Sequence, residues 1–304
     1  MIVPLPLPTF FHEEPKIRPD ELDVLVLLAA RCDDNRPFFG AHRAAPLQVS
    51  LHDNATSALA NVDAFLADRF LVPRPATGQF SERVLRLPSF YVHEPLVGSP
   101  EPGPPPCAEA GFVTFGCFNN PPKINRDVLA SRATLLQRIP TARLVLKYRN
   151  AYEPAAQRAR ILSGLGVDPS RVSFAPPAIG TNAHLESYRD IDIALDTFPY
   201  GGVTTTFEAL WMGVPVITLA GASVASRQAG SMLRTLGLRS LVAVDSTGYA
   251  EIAEQLARDP AAIGQHRRDL RTRLKSSPLC DPAGRARQIA RLFRAVLQRR
   301  HAAG

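Results

Sequence analysis

Residues 195–219 read LDTFPYGGVTTTFEALWMGVPVITL. An apolar run ends at Asp196, a glycine pair follows at Gly201 and Gly202, and three threonines open a helical stretch. A second short apolar run, PVITL, closes the segment. This is a strand, a glycine turn, a helix and a strand. Glycine lets the backbone approach a ligand closely. The N–H groups at a helix start, aided by the macrodipole, favour a bound anion. A diphosphate suits Thr204 and Thr205, and Glu208, one turn in, can accept hydrogen bonds from ribose hydroxyls. A glycine turn with Thr204 as an ordinary helix cap explains the same residues. No lysine follows the glycines, so this is not a Walker A loop.

Outward from this segment the alternation repeats. FVTFGCF (112–118), ARLVLKY (142–148), RVSFAP (171–176), IDIALDT (191–197) and SLVAVD (240–245) have strand length. Between them lie helical patterns, one of them with Leu129, Ala133 and Leu136 on one face and Asn125 as its cap. Strands alternating with helices predict a parallel sheet covered on both faces, a doubly wound Rossmann-like domain. Ligands of such domains bind at the carboxyl ends of strands. Upstream, LDVLVLLAA (22–30), APLQVSLH (45–52) and VDAFLAD (62–68) are strand candidates for a second α/β body. The proline-rich GSPEPGPPPCAEAG (98–111) reads as a linker. The expected organisation is a partial N-terminal domain over 1–97, a linker over 98–110, a nucleotide-binding domain over 111–280 and a C-terminal helical segment over 281–304. Asp281 and Pro282 start the last helix, with Ile289, Leu292, Phe293 and Val296 as its apolar stripe.

Three further stretches lie in loops after strands. In FGCFNNPPKIN (115–125), Lys123 follows a stiff Asn-Asn-Pro-Pro loop, where it can neutralise a leaving diphosphate or stay a solvated lysine. In PPAIGTNAHLESY (176–188), His184 can stack on a base, bond a carbonyl, or merely cap or pack. In ASRQAGSML (225–233), Arg227 can steer phosphate or pair with a surface carboxylate.

The chain has 304 residues and a formal net charge of +7. Basic balance suits an anionic ligand. Much of it lies in QHRRDLRTRLK (265–275) and GRARQIARLFRAVLQRR (284–300), which read as solvated helix faces. No interleaving of aromatic and basic residues supports a nucleic-acid binder. The four cysteines (Cys32, Cys107, Cys117 and Cys280) have no metal-ligand spacing. A reducing, cytoplasmic setting is expected, with no metal and no cofactor. The opening MIVPLPLPTFFHEEPK lacks a basic start and is interrupted by prolines, so neither a signal peptide nor a membrane span is expected.

FGCFNNPPKI, IPTARLVLKYRN, HLESYRDIDIALDTFPYGGVTTTFEALWMGVPVITLAG and ASRQAGSMLRTLGL together resemble the catalytic region of protein O-linked N-acetylglucosamine transferases and their SPINDLY-like relatives. The resemblance is close over 111 to about 279 and weaker upstream. It implies a GT-B fold, a UDP-sugar donor held without metal, and inverting transfer of a sugar, N-acetylglucosamine by the family's habit alone, to serine or threonine hydroxyls of a protein or peptide acceptor. By position, it implies that Lys123 stabilises the leaving diphosphate and that Asn120 stands where relatives have glutamine. His184 would lie against the uracil, Thr204 and Thr205 would bind phosphate, and Glu208 would hold the ribose. Departures in the acceptor half are AARCDD with Arg31 and Cys32, and HDNATS (52–57); in the donor half Val203 replaces a small or polar residue beside the threonines. The family's N-terminal catalytic domain is expected to begin well upstream of where this chain starts, and the family's tetratricopeptide platform for protein substrates is expected to be missing. The alternative expectation is therefore a UDP-sugar-binding remnant or half of a split transferase, with a partner chain or self-association covering apolar surface.

Overall fold

The computed structural model describes residues 22–28 and 40–302, with the side chain of His301 left aside. Arg31, Cys32 and the proline-rich start lie outside the described residues. The chain divides into two compact units, one of 1–90 with 285–304, the other of 91–284.

The first unit holds four parallel strands: β1 (Val24–Leu28), β2 (Leu47–Leu51), β3 (Ala64–Asp68) and β4 (Arg83–Leu87), in that spatial order. All five residues of β3 are buried, as befits a parallel strand covered on both faces. The three upstream strand candidates are present, and β4 is added to them. RVLRL (83–87) carries two arginines that break its apolar run, so its sequence gives no clear strand signal. Arg86 in fact turns its guanidinium to the carbonyl of Val72 and the hydroxyl of Thr77.

The second unit begins with the prolines. It then runs α1 (Cys107–Ala110), β5 (Thr114–Cys117), α2 (Arg126–Arg138), β6 (Arg143–Leu146), α3 (Ala155–Leu165), β7 (Val172–Phe174), α4 (Thr181–Glu186), β8 (Ile193–Leu195), α5 (Thr204–Trp211), β9 (Val216–Leu219), α6 (Gln228–Thr235), β10 (Val242–Ala243), α7 (Ser246–Ala257) and α8 (Pro260–Lys275). The six strands are parallel, in the order β10-β9-β8-β5-β6-β7. Strand order reverses between β5 and β8, and that is where doubly wound sheets open a ligand crevice. Local chemistry explains the boundaries. The side chain of Asn125 accepts from Val128 N and caps α2, Asp245 caps α7, and α3 ends at Gly166 in the left-handed region (φ 59°). A last helix, α9 (Pro282–His301), lies mostly in the first unit, where Arg300 pairs with Asp63 at 2.7 Å.

Two features differ from the sequence expectation. The proline run is bound to the second unit. Extended, proline-rich backbone leaves carbonyls without ladder partners, and these take side-chain donors: Glu101 O from Arg189, Pro100 O from Arg271, and Gly98 O from Asn182. The basic helices are also not wholly solvated. Arg267, Arg271 and Arg285 are buried. Arg267 donates to the carbonyls of Met212, Tyr188 and Ile191, and Arg271 to that of Trp211 at 2.7 Å. Trp211 and Met212 close α5, so two guanidiniums meet its orphan carbonyls and the negative end of its dipole. Burial holds the Arg267 guanidinium down to about 10, with Asp192 opposing that shift.

Candidate functional site

The loop after β5 and the loop after β8 meet at the strand-order reversal. Lys123 Nζ donates to Gly201 O at 2.8 Å and lies 3.8 Å from the centroid of the Tyr200 ring. Asn125 donates to Phe198 O at 2.8 Å, beside the cis Phe198–Pro199 peptide. The lysine is thus fixed against the glycine turn that leads into α5.

That turn rests on a buried carboxylate. Asp196 accepts from Thr218 Oγ1 at 2.7 Å, Gly202 N at 2.8 Å and Asn119 Nδ2 at 3.1 Å. Burial pushes its pKa up, and those hydrogen bonds together with the charge of Lys123 oppose the shift. Asn119 passes the constraint on, its Oδ1 accepting from Thr205 Oγ1 at 2.9 Å. A Cβ at Gly202 would fall 2.4 Å from Thr205 Oγ1 and 2.9 Å from Asn119 Oδ1, so only glycine fits there.

The first turn of α5 is open. Val203 occupies the cap position and no side chain caps the helix. The reading of Thr204 as an ordinary cap is therefore not realised. Thr204 is exposed, Thr205 half-buried, and the buried Thr206 returns its hydroxyl to Gly202 O at 3.1 Å. Among the described residues, the N–H groups of Thr204, Thr205 and Thr206 have no protein acceptor. Three amide donors at the positive end of a helix dipole, beside a lysine, can hold a diphosphate.

One turn further, Glu208 Oε2 lies 3.1 Å from His184 Nε2 and 3.2 Å from the Tyr188 hydroxyl. His184 Nδ1 lies 2.7 Å from Lys147 Nζ. Burial draws the Lys147 ammonium below the usual lysine range, with Glu208 opposing. Burial, then Glu208, pushes the Tyr188 phenol well up. Phe118 tilts against Tyr188 with ring centroids 4.6 Å apart.

The Tyr188 hydroxyl also donates to Thr205 O at 3.3 Å, which joins Lys123, Thr205, Glu208 and His184 in one network with the exposed Thr204 at its edge. Arg227 sits one loop away: its guanidinium donates to Gly221 O at 2.8 Å, while nearby Ala225 O accepts from Gly201 N at 3.0 Å. Asn120 is exposed and lines an open groove of about 740 Å³ with Pro121, Pro122 and Arg160. The asparagine that reaches the threonine helix is its neighbour Asn119. Sequence reasoning missed Asn119, Asp196, Lys147 and Tyr188 as site residues. The strand-end rule that singled out Lys123 would also have found Lys147, since it follows β6. Among the described residues no group of three or more metal-ligating side chains occurs, and no helix is long and apolar enough to cross a membrane.

The model of glycosyl transferase family 41 matches residues 108–289. A probable UDP-N-acetylglucosamine–peptide N-acetylglucosaminyltransferase SPINDLY from Solanum lycopersicum is 39% identical over 290 residues, covering 93% of this chain and 31% of the relative. The chain thus spans about a third of the length of that curated relative. Among solved structures, a mutant of the Thermobaculum terrenum O-GlcNAc transferase aligns with a TM-score of 0.84 at 34% identity, over 93% of this chain and 55% of the other. A mutant of S. aureus TarM, 10% identical, aligns with a TM-score of 0.57 over 85% of this chain and 52% of its own, which is a likeness of fold alone. The fold is α/β of the GT-B type. With the family match spanning both the Lys123 loop and the threonine-opened helix, the chain belongs to glycosyl transferase family 41.

Proposed function

We propose that this chain provides the donor-binding part of a protein O-glycosyltransferase that takes its sugar, N-acetylglucosamine, from a UDP-sugar. The observation that carries the reading is Lys123 fixed 2.8 Å from Gly201 O, three residues before a helix whose first turn is uncapped. The amides of Thr204, Thr205 and Thr206 would face the diphosphate, with Thr205 acting through its N–H because its hydroxyl is committed to Asn119. Lys123 would leave Gly201 O to neutralise the departing UDP, a charge-stabilising role that needs no metal. Glu208 would accept the ribose hydroxyls and His184 would lie beside the base. A serine or threonine hydroxyl of the acceptor would attack the anomeric carbon in line, inverting it, with most of the acceleration coming from positioning. The setting would be cytoplasmic, with no cofactor beyond the donor. The burial of three arginines weakens the charge argument for a nucleic-acid ligand.

Calorimetry with UDP tests the reading. The purified chain should bind UDP, and Lys123→Ala and Thr205→Pro should each weaken binding by about tenfold or more, the proline because it removes an N–H. Absence of UDP binding by the folded wild type would overturn it. A peptide-transfer assay separates a transferase from a binding module: binding without transfer would favour the remnant or split-enzyme alternative.

A further inference from the structure

Lys147 is buried at the carboxyl end of β6. Its ammonium meets His184 Nδ1 at 2.7 Å, and the other ring nitrogen meets Glu208 Oε2 at 3.1 Å. An ammonium only donates. The 2.7 Å contact sets that donor against Nδ1, and the Glu208 carboxylate favours the ammonium against the pull of burial. Nδ1 must then present its lone pair, and the ring hydrogen sits on Nε2, aimed at Glu208. The opposite neutral tautomer would set two lone pairs against each other at Oε2. Both protein bonds to Glu208, from His184 and from Tyr188, fall on that oxygen. Oε1 takes no protein donor among the described residues.

We infer that Lys147 is a positioning residue that sets the His184 tautomer and, through it, holds Glu208 with Oε2 filled and Oε1 turned to hydroxyl donors of a bound nucleoside. The ligand half of this inference rests on the proposed UDP-sugar site, whereas the proton arrangement does not. The groups facing the imidazole are Lys147 from the end of β6, Glu208 from α5, Tyr188 from the turn after α4, and the Phe118 ring from the loop after β5. Lys147 is the cation in that set, and Glu208 the anion.

Nitrogen-15 spectroscopy of the full chain with labelled histidine tests the arrangement, with His184→Asn identifying the signal. At about pH 7.5, wild-type His184 should be the Nε2–H tautomer. Lys147→Met should shift the signal toward a tautomer mixture, and Lys147→Arg, which keeps a cation that only donates, should restore it. UDP affinity should fall about tenfold in Lys147→Met and recover to within about threefold in Lys147→Arg. A wild-type Nδ1–H tautomer, or one unchanged by Lys147→Met, overturns the inference. An altered tautomer with unchanged UDP affinity overturns its ligand half. If Lys147→Met does not fold, the wild-type tautomer and Lys147→Gln decide. Failure of the wild type to bind UDP sinks the donor reading and leaves the spectroscopic result to stand.

Discussion

Thr205 donates its hydroxyl to Asn119 Oδ1 at 2.9 Å, and the amide of the same asparagine is held by Asp196. A loop from one strand and a helix from its neighbour are thus tied through a single side chain. Asn119→Ala removes the tie while leaving Lys123 in place. UDP affinity should fall about tenfold, roughly one kilocalorie and a half. Asn120→Ala, on the exposed side, should bind UDP as the wild type does in the same titration. Equal losses in both variants would show that the network does not position the helix.

Gly202→Ala probes the same turn sterically. The added methyl would meet the Thr205 hydroxyl at 2.4 Å and Asn119 Oδ1 at 2.9 Å, so the helix start must move. UDP binding should weaken by more than about tenfold and the melting temperature should drop by several degrees, at about 2–4 °C per kcal/mol for a body this size. Calorimetry and a thermal melt check both, and wild-type values in either would contradict the packing.

Arg267→Met leaves the carbonyls of Met212, Tyr188 and Ile191 without the buried donor they share. Each unsatisfied group costs about 1–3 kcal/mol, so the second unit should lose about 3 kcal/mol after relaxation. Urea unfolding monitored at Trp211, which packs beside Arg271, reads the loss. A shift below about 0.5 kcal/mol would mean that the carbonyls find other partners.

Asp63 contributes to the pH dependence of the first unit. Burial raises its pKa, but hydrogen bonds from Arg43, Arg300 and Gln48 N outweigh burial and bring it below the usual value. A depressed folded pKa means stability that is present above the unfolded value of about 3.9 and is lost as pH falls through the lower folded value. Asp63→Asn should therefore cost about 1 kcal/mol near neutrality, the upper part of the range for partly exposed pairs. The difference from wild type should shrink below about pH 4 and vanish once both carboxyl states are protonated. A gap that is constant with pH would assign the effect to packing.

Much of the second unit was legible because strand and helix periods alternate there without interruption. The cap at Asn125, the glycine stop at Gly166 and the uncharged turn at Gly201 and Gly202 are each local, and local chemistry is written in local sequence. What stayed hidden depends on partners far along the chain. Asn119 and Asn120 are identical in composition, and only the end of β5 decides which faces Asp196, 77 residues away. Arg267 looks solvated among its charged neighbours because its acceptors are backbone carbonyls 55 to 79 residues distant. The prolines read as a linker because their lack of N–H groups is visible in sequence, whereas the arginines that claim their carbonyls are not.

The pairing of β5 with β8 also orders events during synthesis. Lys123 emerges 78 residues ahead of the carbonyl it will bind, and until β8 follows, β5 presents a bare edge on its inner side. A nascent chain paused in that interval carries an exposed template for stray strand addition and lacks the Lys123–Gly201 contact. On the proposed donor reading, a nucleotide that binds only the joined halves would act as a late staple across the seam.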